Sequence, residues 1–193
     1  MPRVKLFDEK EVLIKAMHLF WKQGYAATSV QDLVNSLGIN RASLYDTFGD
    51  KEKLFKKAFA YYRKINNDAL VAFLKKYPNV KEGFTALFNA SINEAVSDID
   101  CKGCFVVNSI AELIPGDDHM VRLIQENQEF MEVTFFEYLK KGKENGQLKT
   151  TQDLKSLAYL LYTIQAGIKI VSKADVDKEK LLKSVEVGLS LLV

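Results

Sequence analysis

The chain has 193 residues, 48% of them apolar, and a formal charge of only +2, enough apolar material for a core in one domain or two small ones. No stretch approaches the roughly 18 consecutive apolar residues of a membrane span, and Met1-Pro2-Arg3 leads into the charged Asp8-Glu9-Lys10-Glu11 without the long apolar run of a secretory signal. A cytoplasmic protein without a membrane partner is expected, and two cysteines in a chain of this size imply no disulfide framework.

Charge is unevenly spread. Residues 1–64 hold 12 Lys/Arg against 7 Asp/Glu, whereas residues 65–193 hold 15 against 18. The amino-terminal third therefore attracts phosphate without making the whole molecule adhesive.

In chain order, Asp8 with Glu11 three residues later reads as a capping box, and Leu13, Ala16, Met17, Phe20 and Trp21 mark one buried helical face up to a stop at Gly24. Thr28 or Ser29 then caps a short helix whose Val30, Leu33, Val34 and Leu37 face inward. Gly38 permits a tight turn, Asn40 caps the next short helix, and Leu44 and Phe48 anchor it at i and i+4. Two short helices hinged on Leu37-Gly38-Ile39 form a helix-turn-helix, which makes double-stranded DNA the expected partner. Asp50 caps a long helix from Lys51 towards Lys76, and further helices are expected at about 80–97, 102–113, 117–143, 153–172 and 177–192. The breaks fall at Asp98–Gly103, Pro115-Gly116-Asp117, Gly142–Gly146 and Lys173–Asp177. No strand alternation or internal repeat is visible. The fold class is all-α, with a DNA-binding domain over residues 1–50, extended by the start of a bridging helix to about 64, and a second helical domain over 51–193.

The stretch FWKQGYAATSVQDLVNSLGINRASLYDTFGDKEKLF, Phe20 to Phe55, resembles the amino-terminal domain of TetR-type (TetR/AcrR) transcriptional regulators. The resemblance rests on Gly24-Tyr25, Ala27-Thr28-Ser29-Val30, Leu33, Leu37-Gly38-Ile39, Ser43-Leu44-Tyr45, Phe48, Lys51-Glu52 and Leu54 together. Most members carry Tyr-x-His-Phe where this chain has Tyr45-Asp46-Thr47-Phe48, so the histidine contact to phosphate is missing. The resemblance implies a carboxy-terminal domain for ligand sensing and dimerisation, and most often a repressor released by a small molecule.

Candidate DNA contacts follow from chemistry. Arg41 suits a guanine edge or a phosphate, Ala42 a thymine methyl, Ser43 and Thr47 either phosphate or base, and Tyr45 a phosphate through its hydroxyl. Thr28, Ser29, Val30 and Gln31 open one helix, Asn40 caps the recognition helix, and Lys51 opens the bridging helix, all positions where amide dipoles favour phosphate.

One such module makes few base contacts, so a homodimer on a palindromic operator is expected. Leu157, Leu161, Ile164 and Ile168 form one apolar stripe, and Leu182, Val185, Gly188 and Leu189 another, which suits a four-helix seam between two chains. For a small, largely apolar effector the candidate lining is Phe84, Phe88, Phe135, Tyr159 and Tyr162, with Cys104, Asn108 and Gln165 as polar groups.

Cys101 and Cys104 form Cys-x-x-Cys at an expected helix start beside Lys102, which makes a redox- or electrophile-sensing regulator the alternative reading. His18 and His119 are far apart and no second ligand pair has zinc-like spacing, so neither a metal nor a cofactor is expected. No glycine-rich phosphate loop, HExxH motif or nucleophile with a histidine partner is present, and no catalytic residues are assigned. A helical scaffold that binds only protein is a remote alternative, since it leaves the basic, hydroxyl-rich second helix unexplained.

Overall fold

The computed structural model describes residues 7–114, 118–174 and 176–192, and the described residues form nine helices without a strand. The expected break at Pro115-Gly116-Asp117 and the Met1-Pro2-Arg3 start lie outside them. The helices are α1 (Glu9–Gln23), α2 (Val30–Leu37), α3 (Arg41–Phe48), α4 (Lys51–Leu74), α5 (Val80–Ser97), α6 (Phe105–Leu113), α7 (Asp118–Glu144), α8 (Leu154–Val171) and α9 (Lys178–Ser190). None of the described helices is long and apolar enough to cross a membrane.

Local chemistry sets most of the ends. Asp8, Ser29, Asn40, Asp50, Asn79, Asp153 and Asp177 each cap a helix start by accepting from backbone N–H groups of the first turn. Those hydrogen bonds hold the carboxyls of Asp50, Asp153 and Asp177 below the usual carboxylate range, and the Ser29 hydroxyl followed by the Ser29 N–H, both donating to Asp32, does the same there. The capping box belongs to Ser29 and Asp32; at α1, Glu11 pairs instead with Lys15 at 2.7 Å, four residues on. Helix α6 starts at Phe105, three residues later than the spacing predicts, because Gly103 adopts a φ of 61° and Cys101 one of 49°. A left-handed backbone cannot continue into an α-helix, so the chain turns before the helix begins.

Buried side chains gather in two clusters. The first joins Phe20, Leu33, Leu44, Phe55 and Phe59 of α1–α4 to Phe105 and Val106 of α6 and to Met120 and Ile124 of α7. The second packs Leu74, Phe84, Phe88, Ile92, Phe135, Leu161 and Val185 among α4, α5, α7, α8 and α9. Helix α4 contributes to both, its residues up to Tyr62 to the first and Leu70 and Leu74 to the second. It is the beam on which the helix-turn-helix and the larger helical body are both mounted.

Candidate functional site

The turn between α2 and α3 is set by Gly38, whose φ of 67° and ψ of 26° place it in the left-handed region that a side chain resists. Its N–H donates to the Val34 carbonyl, closing α2, and Asn40 accepts from the Ser43 N–H at 2.8 Å, opening α3. With Leu44 and Phe48 buried, α3 presents Arg41, Ala42, Tyr45 and Asp46 to solvent, and Ser43 and Thr47 flank them half-buried. An eight-residue helix anchored on one side and open on the other is what a major groove accommodates. Tyr45 is 42% exposed, a large ring held outward beside Arg41 on the same face.

Around this face the candidate residues divide into those that hold the module together and those left free to reach outward. Thr28 is fully buried, and its hydroxyl donates to the Gly24 carbonyl at 2.6 Å. It has no surface to offer a phosphate, so the expectation of a DNA contact is corrected to a pin on the α1–α2 turn; a lone hydroxyl beside a helix start carries no mark of which role it has. Ser29 is exposed and locked with Asp32, donating to its carboxylate at 2.6 Å and accepting from its N–H at 3.0 Å. Gln31 is exposed and donates to Asn35, whereas Val30 is half-buried. The Lys51 ammonium lies 4.3 Å from the centre of the Tyr25 ring, and Lys57 lies 5.5 Å from that of Phe48, so cations flank the start of α4.

Helix α6 fastens the larger body to this module at both of its ends. Before it, the Trp21 indole N–H donates to the Gly103 carbonyl at 3.1 Å, and Lys22 pairs with Asp100 at 3.3 Å. At its far end the Glu112 carboxylate accepts from the N–H groups of Tyr25 and Ala26, at 2.9 and 2.5 Å. Between them Phe105 is wedged edge-on against Phe55, Phe59 and Tyr62, with ring centres 5.5 to 5.7 Å apart. No spacing rule signals these contacts, because the hydrogen-bonded partners lie 78 to 87 residues apart.

The larger body holds a partly open cavity of about 290 Å³ lined by α4, α5, α6, α7 and α8. Of the expected lining, Cys104, Tyr162 and Gln165 face it. The others do not. Phe84, Phe88 and Phe135 are fully buried in solid core, with Phe84 and Phe135 in edge-to-face contact at 5.1 Å. Tyr159 is half exposed on the surface, and Asn108 is engaged by the Lys102 carbonyl and the Lys173 ammonium. An aromatic at a buried helical position looks the same in sequence whether it fills a core or walls a void, which is why these four ring assignments and Asn108 are corrected. Missed were Tyr62, Arg63 and Asn66 of α4, and Asn127 and Met131 of α7. A signal existed: Phe59, Arg63, Asn66 and Leu70 follow one helical face at steps of four, three and four, so polar residues interrupt an apolar stripe.

At the cavity's edge the Tyr62 hydroxyl lies 3.9 Å from the Cys104 sulfur, and burial raises its pKa, with the neighbouring thiol adding to the effect. Burial likewise raises the pKa of Tyr162. Cys101 is exposed, and both cysteines are free. Among the described residues no group of three or more His, Cys, Asp or Glu side chains is placed to hold a metal.

The apolar stripes assigned to a seam between chains turn inward. Leu157, Leu161, Ile168, Val185 and Leu189 are buried within the subunit, Ile164 is half-buried, and a Cβ on Gly188 would meet Ile164 at 2.5 Å. Side chains already covered by their own chain have no surface to share, so this assignment is corrected for all but the half-buried Ile164 and the exposed Leu182. Periodicity reports that a face is buried and not by whom.

Comparison with known proteins agrees with this geometry. Residues 12–58 match the family described as "Bacterial regulatory proteins, tetR family". The chain is 34% identical to the uncharacterized HTH-type transcriptional regulator YezE of Bacillus subtilis (strain 168), over the full length of both. It is 30% identical to the HTH-type transcriptional repressor ComR of Escherichia coli (strain K12), covering 94% of this chain and 87% of that one. Among solved structures, a cysteine-substituted form of the TetR family transcriptional regulator CifR, complexed with 26-bp double-strand operator DNA, superimposes with a TM-score of 0.87 at 28% identity, over 99% of this chain and all of the other. The exposed face of α3 and the two-part helical body are thus those of a known architecture, and the chain belongs to the TetR family of DNA-binding transcriptional regulators.

Proposed function

We propose that the protein is a homodimeric repressor of a palindromic operator, released when a small, largely apolar ligand occupies the cavity. The observation that carries this is the sharing of α4 and α6: Tyr62 and Val107 line the cavity, while Phe55, Phe59 and Phe105, on the same two helices, fill the core of the DNA-binding module. A ligand that spreads α4 and α6 changes the seat of α3. Two modules must occupy major grooves roughly 34–36 Å apart, so a small rotation of each spoils joint docking. A coupling on the order of 1–3 kcal/mol suffices to change occupancy severalfold or more.

Support for repression comes from the relatives: ComR and BdcR of Escherichia coli are named transcriptional repressors, and CifR is solved on operator DNA. Support for pairing comes from the surface of α8 and α9. Tyr159, Thr163, Gly167 and Ile170 follow one outward line on α8, Val187 of α9 and its C-cap Leu191 another, and nothing in the subunit approaches Gly167 within 4 Å of a built Cβ. Selection from a random duplex library is expected to yield an inverted repeat bound by two subunits. Absence of any sequence preference overturns the reading.

A second reading is favoured by the place of Cys104, a free thiol on the cavity wall. In it the effector is an electrophile captured by that sulfur. Cys104→Ser is then expected to abolish release of DNA by N-ethylmaleimide, and a retained response rejects the reading.

A further inference from the structure

The chemistry of the cavity's occupant is written in the atoms its wall leaves unpaired. The Nε of Arg63 and the Oε1 of Gln165 are both buried without a hydrogen-bond partner, although both side chains line the cavity. Buried polar atoms of this kind cost stability until something satisfies them. Gln165 donates through its Nε2 to the Ser91 hydroxyl at 2.7 Å; with the amide turned over, the hydroxyl donates instead and the NH₂ group becomes the free end. Either way one end of the amide stays open.

Polarity is graded along the void. On α4, Tyr62, Arg63 and Asn66 precede Leu70 and Phe73; on α5, which returns alongside, Leu87 and Ala90 precede Ser91 and Glu94. The cross-links Arg63–Glu126, Gln165–Ser91 and Lys169–Glu94 place the polar parts of four helices at the same end, next to Cys104 and the start of α6. The opposite end is Leu70, Phe73, Leu87 and Met131. An occupant with a polar head and an apolar body fits this grading.

The head's sign follows from which partners are buried. Arg63 and Lys169 keep only 13% and 15% of their side chains exposed, while their carboxylate partners Glu126 and Glu94 keep 62% and 63%. Glu94 also lines the cavity, but solvent screens the two exposed anions more than the two buried cations, which favours an anionic head. Both atoms are covered at rest, so a modest turn of each side chain brings the Arg63 Nε–H and the turned amide of Gln165 to a carboxylate as donors.

We infer that the effector is a small monocarboxylate, its carboxylate on Arg63 and Gln165 and its apolar body against Leu70, Phe73, Leu87 and Met131. The volume of about 290 Å³ admits roughly ten non-hydrogen atoms at the space of a water molecule each. This rests on the reading of the cavity as the effector site. It sharpens that reading to a chemical class.

The probes are octanoate, with 1-octanol and octylamine as uncharged and cationic counterparts, titrated into the full-length protein by calorimetry and then into its complex with the selected duplex. Octanoate is expected to bind at least tenfold more tightly than either counterpart. Arg63→Met is expected to remove that preference, so that octanoate binds no more tightly than 1-octanol. Gln165→Leu, which spares the Arg63–Glu126 pair, is expected to weaken octanoate severalfold and serves if the first variant does not fold. Equal binding of octanoate and 1-octanol, or no binding of octanoate, overturns the inference. Preferential octanoate binding that leaves duplex affinity unchanged upholds the carboxylate class and overturns the ligand-release reading, so the two fail separately.

Discussion

Arg41→Ala is expected to weaken binding to the selected operator by about 30-fold or more while leaving the thermal stability of the protein unchanged. Arg41 is the first residue of α3, exposed, and beside Tyr45 on the open face. In a helix-turn-helix the first turn of the recognition helix is the part that reaches base edges. A bidentate arginine on guanine contributes roughly 1–3 kcal/mol of discrimination, and a symmetric pair of modules loses it twice. The substitution is therefore expected to relax preference at one base pair in each half-site, seen by repeating the selection with the variant. A loss that is uniform across sequences, with a salt slope shallower by about two, would place both guanidinium groups on phosphates instead.

Phe105→Ala is expected to destabilise the protein by about 3–5 kcal/mol, a large share of the roughly 5–15 kcal/mol that holds a typical domain folded. The side chain is 2% exposed and touches three aromatic rings of α4. Its removal leaves a void where α6 meets the DNA-binding module, and the rings around it are on a long helix that cannot close in without moving α3. Urea unfolding followed by circular dichroism measures the loss. Phe105→Leu, which keeps most of the volume, is expected to cost less. An unchanged midpoint for Phe105→Ala would show that α6 is not a structural wedge.

The recognition module was legible in the sequence because its signals are local. Ser29 and Asn40 cap within three residues, Gly38 turns within one, and Leu44 and Phe48 fix which side of α3 is left open. Apart from the start of α6, the bounds of the later helices agree with the apolar periodicity to within about two residues for the same reason. Long-range choices were not legible. Glu112 looks like any exposed acid until α6 is laid against the Tyr25–Ala26 turn, and Thr28 looks like a phosphate contact until its hydroxyl is seen on Gly24. The cavity was half hidden. Aromatic content pointed to Phe84 and Phe135, which fill core, while the wall is marked by polar groups such as Arg63, Asn66 and Gln165 that interrupt apolar helical faces. The stripes of α8 and α9 carried no label saying whether their own chain or a second copy covers them.

The proposed dimer holds two copies of α3 a fixed distance apart, so that they read one face of the duplex together. The most direct measurement of this is operator affinity after about five base pairs, half a helical turn, are inserted between the half-sites of the selected sequence. Loss of affinity to the level of a single half-site is the predicted result, because the second module then faces the far side of the DNA. Affinity equal to that for the uninterrupted repeat would contradict it.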